Sequence, residues 1–286
     1  MGAGMPTFRA PPMEHPPVTP GLAVALGSSF LGYYAHAGFL NGLAEAGLHP
    51  ARISGASAGA LAGSLHAAGI RGDDLKAAVL DSSLRWSFFD WAAFWRLPGV
   101  CTSFWSSGLL SGKNAVKKLH RILNGADLST LVSPVMDIAV TDADLHRTEI
   151  LRSGPLAELI VASCAVPCLI GIQRVGEKRY LDGGVACEAP FEHWLDDPEI
   201  DTIVVHRIRH EENSGPAVSW ETIATSIGAS HQTVCNELHR HRTELARAKG
   251  KRLIEIDTIT PVPGMLSQGR APLCYERGFE SGKAGW

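Results

Sequence analysis

Hydrophobic and polar positions along this chain change period repeatedly. GLAVAL (21–26) is a short unbroken apolar run, the pattern of a strand buried on both faces. Residues 36–46 space their apolar positions as a helix does, and Gly47 supplies the stop. ARIS (51–54) reads as a second strand, and 58–68 as a helix ending at Gly69. Later strand patterns are VMDIAVTD (135–142), RTEILR (147–152), KRYLD (178–182), TIVVHRI (202–208) and RLIEID (252–257). Helical patterns fall between them at 113–124, 155–163 and about 219–248. Strands alternating with helices predict an α/β fold with a mostly parallel central sheet.

The first twenty residues break this pattern. They hold six prolines and no apolar period, so residues 1–20 are expected to form a flexible arm and 21–286 one folded domain. Residues 16–44 contain no Asp, Glu, Lys or Arg. The stretch is long enough to span a bilayer, but its prolines, Gly27, Ser28, Ser29, Gly32 and His36 fit a buried strand, a tight loop and a buried helix better. It also lacks the basic start of a signal peptide. The expectation is a cytoplasmic protein with no signal peptide and no transmembrane helix.

Composition excludes several classes. At 286 residues the chain can bury a sizeable core. Its net charge of −3 gives no field that would draw nucleic acid. The cysteines form no Cys-x-x-Cys pair and read as buried free thiols. No histidine lies in a His-Glu-x-x-His frame and no EF-hand loop occurs, so neither a metal nor a cofactor is implied. One segment changes the picture: four of the seven tryptophans lie in residues 86–105. Phe88, Trp91 and Trp95 are three and four apart and can share a helix face. With Trp86 they are core packing, an apolar cover over a hydrophobic substrate, or an interfacial surface that touches a membrane or micelle.

The candidate chemistry sits in ISGASAGAL (53–61). Ser57 lies between Gly55 and Gly59 in a Gly-x-Ser-x-Gly frame, after a strand pattern and at the start of a helix. Such an elbow forces its central residue to positive φ and needs small neighbours. The helix start also directs free N–H groups at any anion formed there. The bland alternative is a small-residue face that packs a helix on the sheet. A serine nucleophile needs a base. His206 and His231 are present, but no motif marks either. Asp182 in YLDGGV closes a strand pattern and precedes Gly183 and Gly184, which on these residues alone reads more readily as an Asp-Gly hairpin turn.

The ordered set of motifs resembles the patatin-like phospholipases, serine acyl hydrolases with a Ser–Asp dyad and no histidine. The resemblance runs through GSSFLG (27–32), AHAGFLNGLAEAG (35–47), ISGASAGALAG (53–63), GLLSG (108–112), AVTDADLHR (139–147), ASCAVP (162–167) and YLDGGV (180–185). It implies a three-layer sandwich with helices on both faces of the sheet. It also implies hydrolysis of phospholipids or other long-chain acyl esters, with Ser57 as nucleophile and Asp182 as general base. Its oxyanion loop departs from the family's usual Gly-Gly-Gly-x-Arg-Gly: here Gly27, Ser28 and Ser29 open the loop and the arginine is missing. The backbone N–H groups of Ser28 and Ser29 are the expected donors. Two further readings stay open, a weakened member that binds lipid or protein, and an acyltransferase.

Overall fold

A computed structural model of the chain describes residues 18–90, 107–211, 223–264 and 269–285, together with 93, 95, 96 and 99. Its strands are β1 (Thr19–Leu26), β2 (Pro50–Ala56), β3 (Gly108–Leu110), β4 (Val135–Asp142), β5 (Arg147–Leu151), β6 (Cys168–Ile170), β7 (Gln173–Val175), β8 (Lys178–Leu181), β9 (Thr202–His210) and β10 (Arg252–Thr260). The helices are α1 (Tyr33–Glu45), α2 (Ala58–Ala67), α3 (Gly72–Leu80), α4 (Ser82–Ser87), α5 (Lys113–Ile122), α6 (Leu156–Ser163), α7 (Ile223–Ala248) and α8 (Ala271–Lys283).

The main sheet has eight strands, and its path runs β10-β9-β1-β2-β4-β8-β7, with β5 pairing β4. Neighbours from β10 to β4 are parallel, while β5, β8 and β7 join antiparallel. The chain leaves β1 in one direction toward β2, and β9 returns on its other side. Open α/β sheets form their binding crevice at such a switch point, beyond the carboxyl ends of the strands. The residues after β1 and β2 lie at that edge.

Alternate residues of β1 enter different cores, as the two-residue period requires. Leu22, Val24 and Leu26 pack with Phe39 and Leu40 of α1 and Leu61 of α2. Ala23 and Ala25 pack on the opposite side with Phe191, Trp194, Val205 and Ala246 of α7. The sheet is therefore the middle of three layers. This is also why GLAVAL lacks polar alternation: both faces of the strand are buried.

Several elements differ from the pattern-based expectation. Thr19 and Pro20 belong to β1 and not to the arm; residues 1–17 of that arm lie outside the described residues. Cys168 is exposed at a positive φ, whereas Cys164, Cys187, Cys235 and Cys274 are buried free thiols. Helices α3, α4 and α8 gave too little apolar periodicity to be read.

The case of α8 has a clear cause. It meets α1 through glycines, not through a stripe of large apolar residues. A side chain at Gly38 would run into the Tyr275 carbonyl, and one at Gly278 into the Ala35 carbonyl. The two backbones thus sit in direct contact. Gly38→Ala should gain about 1 kcal/mol of helix propensity, but overpacking against a rigid backbone costs about 1–3 kcal/mol or more. The expected net result is a destabilised protein, read as a lower denaturant midpoint at unchanged m-value. A gain in stability would contradict this packing.

Candidate active site

Ser57 occupies the single residue between the end of β2 and the start of α2. Its φ is 52° and ψ −115°, a strained conformation for a side-chain-bearing residue. The strain is held by close packing. A side chain at Gly55 would strike the backbone of Gly59 and Ala60, and one at Gly59 would strike the Leu26 carbonyl. Any larger residue would push α2 off the sheet. The Ser57 N–H donates to Ser163 Oγ at 2.8 Å, and Ser163 Oγ donates to the Ala139 carbonyl at 2.7 Å. Ser163, fully buried at the end of α6, therefore ties the elbow to β4. The sequence marked its ASCAVP block but gave Ser163 no role.

Asp182 reaches the same point from the opposite direction. On β4, Ala56 pairs with Ala139 in a parallel ladder, and Leu181 pairs with Thr141 in an antiparallel one. One further residue along each ladder brings Ser57 and Asp182 to the level of Val140. The Asp182 backbone is fixed there: its N–H donates to the Ala165 carbonyl at 3.0 Å, and its carbonyl accepts from Thr141 Oγ1 at 2.9 Å. Oδ1 accepts the Gly184 N–H at 2.6 Å. Oδ2 is buried and accepts no hydrogen bond. Burial raises the Asp182 carboxyl from 3.8 to about 6, opposed in part by the neighbouring Ser57 hydroxyl and the Gly184 N–H. Ser57 is thus beside the carboxylate without an aligned hydrogen bond, a common state of catalytic pairs before substrate enters. Gly183 and Gly184 are required by crowding: side chains there would meet the Ala139 carbonyl and Ser28 Oγ.

The loop after β1 corrects one expectation. The Ser28 N–H donates to the Glu188 carbonyl at 2.7 Å, and the Gly27 N–H to the His206 carbonyl at 3.0 Å. Neither is open to an oxyanion. The Ser28 side chain instead packs against Gly184. Ser29 keeps a backbone N–H with no partner among the described residues, as do Phe30 beside it and Ala58 at the first turn of α2. Leu31 adopts φ 49°, so the loop turns sharply without glycine at that position.

Ser57 opens into a cavity of about 280 Å³. Its walls include Leu61, Phe88, Phe89, Leu110, Leu169 and Ile170. Of the four aromatic residues expected as a cover, Phe88 lines this cavity. Trp86 and Trp95 do not line it and are 43% and 88% exposed, while Trp91 lies outside the described residues. Further apolar wall comes from Phe30 and Leu31 in the loop after β1, from Phe89, from residues around β3 and β6, and from Leu61 of α2.

Residues 24–193 match the family model described as patatin-like phospholipase, a span that includes the loop after β1, the elbow and Asp182. The chain belongs to the patatin-like phospholipase family. Uncharacterized NTE family proteins of Mycobacterium bovis and Mycobacterium tuberculosis are 30% identical to it over 174 residues, or 60% of this chain. That alignment spans 45% of the length of those relatives. Among solved structures, VipD from Legionella pneumophila superposes with a TM-score of 0.53 at 16% identity, covering 94% of this chain and 66% of that one. At that identity the likeness is one of fold.

Among the described residues of this patatin-like protein, no histidine hydrogen-bonds Ser57 or the Asp182 carboxylate. His206 and His36 are fully buried behind the loop. His36 Nε2 donates to the Gly27 carbonyl at 2.8 Å, and its Nδ1 lies 2.8 Å from His206 Nδ1. Burial pushes His36 down to about 4 and His206 well down too, so both are neutral struts for the loop. His231 approaches the Asp-Gly-Gly turn, 3.0 Å from the Val185 carbonyl, and makes no hydrogen bond to Ser57. Among the described residues no cluster of His, Cys, Asp and Glu could hold a metal ion, and no helix is long and apolar enough to cross a membrane.

Proposed function

We propose that this protein hydrolyses carboxylic esters of long-chain acyl lipids through a Ser57 acyl-enzyme, with Asp182 as the general base. One observation carries the reading: a strained elbow serine that lines an apolar cavity stands beside a buried carboxylate whose Oδ2 accepts no hydrogen bond. In the first half-reaction Oδ2 accepts the Ser57 proton as Oγ attacks the ester carbonyl carbon. The N–H groups of Ser29 and Ala58 are the candidate donors to the oxyanion. Collapse expels the alcohol, which takes the proton from Asp182. A water then attacks the acyl-enzyme with Asp182 again as base, and as the Oγ–acyl bond breaks that proton returns from Asp182 to Ser57 Oγ, releasing the fatty acid.

The raised carboxyl fits this role, because a base works best with a pKa near the operating pH. The sign of the pH dependence follows. Only the carboxylate accepts a proton, so kcat/KM for a fluorogenic acyl ester should rise with pH through about 6 and level off above it. A rise centred above pH 7 that disappears in His231→Asn would reassign the base to histidine.

The engaged Ser28 N–H gives a second reading its footing. A protein with a reduced oxyanion site could hold acyl lipid without cleaving it. Complete absence of turnover together with saturable fatty-acid binding would favour that reading.

A further inference from the structure

Among the described residues, Arg85 is a buried charge for which the proposed chemistry has no use. It lies on α4, is 4% exposed and lines the same cavity as Ser57. Nη1 donates to the Gly264 carbonyl at 3.3 Å, and the guanidinium carbon stands 5.2 Å over the Trp86 ring. Nε is buried without a hydrogen bond, and Nη2 has no partner among the described residues. The neighbouring carboxylates are occupied. Asp81 binds Ser83 and Lys118, and Asp90 binds Arg96 and Ser111.

A buried guanidinium without a counter-charge is costly, and proteins pair such groups. Nε–H and Nη2–H together form the side-on fork that fits two oxygens of one carboxylate or phosphate. The Tyr33 hydroxyl, also buried without a hydrogen bond, lines the same cavity near enough to feel the Arg85 charge. Apart from Ser28, Ser29 and Ser57 the remaining wall is apolar, so free inorganic anions gain nothing from most of it.

We propose that Arg85, with Tyr33, is an anion subsite for an amphiphile: a carboxylate or phosphate carried on an apolar chain. As a determinant of turnover the subsite rests on the ester-hydrolase reading above and selects acyl esters that bear their own negative charge. As a binding site it does not depend on that reading. The usual loop arginine is absent here, and Arg85 supplies a cation to the cavity from a different element.

The test is calorimetric titration of the full-length Ser57→Ala protein with dodecanoate, dodecyl phosphate and dodecanol below their micelle concentrations. At least one anion should bind about tenfold or more tightly than the alcohol, and the tighter anion identifies carboxylate or phosphate as the preferred head. Arg85→Met should bring anion and alcohol to within about twofold of each other, and Arg85→Lys should retain part of the preference. Equal binding of alcohol and anions by the Ser57→Ala protein overturns the subsite without any Arg85 variant. So does an undiminished preference in a folded Arg85→Met protein. Failure of the hydrolase reading looks different: the anion preference persists while the wild-type protein turns over no ester.

Discussion

Asp182→Asn should lose nearly all ester turnover and gain stability. Asparagine keeps an oxygen for the Gly184 N–H but cannot accept the Ser57 proton, so kcat should fall about 10²–10⁴-fold, the usual contribution of a general base. The stability effect comes from burial. The carboxyl is raised from 3.8 to about 6 in the folded protein, so folding favours its protonated form. Below the unfolded pKa both states are protonated and the residue imposes no penalty. As pH rises through the folded pKa, the buried charge costs up to about 3 kcal/mol. Asp182→Asn should therefore raise Tm at pH 8 and leave it nearly unchanged at pH 3.5. Loss of stability at pH 8 would mean that the carboxylate has a structural duty and is not an unsatisfied base.

Ser57→Ala should have the larger effect on chemistry, at least about 10⁴-fold in kcat, because it removes the attacking oxygen itself. The fold should survive, since alanine fits the same packed elbow and Ser57 N–H keeps its bond to Ser163 through the backbone. Ser57→Gly separates strain from chemistry. Glycine adopts φ 52° freely, so that variant should be equally inactive yet more stable by about 1–3 kcal/mol. Residual turnover within tenfold of wild type in either variant, at saturating substrate, would remove Ser57 from the mechanism.

Legibility in the sequence followed local physics. β1, α1, β2 and α2 could be read because strand and helix periods meet at Gly27, Gly47 and Ser57 with small residues at each turn. The elbow could be read because steric crowding leaves few residue types able to occupy it. Asp182 could not be separated from an Asp-Gly turn by its tripeptide, since its meaning depends on two ladders converging on β4, a contact across more than a hundred residues. The Ser28 N–H could not be assigned for a related reason: a loop sequence does not say which carbonyl its N–H will meet, and Glu188 arrives from far along the chain. The aromatic run was read as a face at helical spacing, yet Trp95 is exposed and Arg85, beside Trp86, is the buried member. Burial of a guanidinium depends on what pairs with it, which local hydrophobicity does not report.

Fluorophosphonate labelling tests the central claim most directly. The reagent forms a stable adduct with an activated serine and needs no knowledge of the natural lipid. Peptide mapping by mass spectrometry should find one adduct, on Ser57, formed faster as pH rises through about 6 and slowed strongly in Asp182→Asn. An unlabelled Ser57 in folded protein, or a rate of labelling unaffected by Asp182→Asn, would contradict a Ser57–Asp182 dyad.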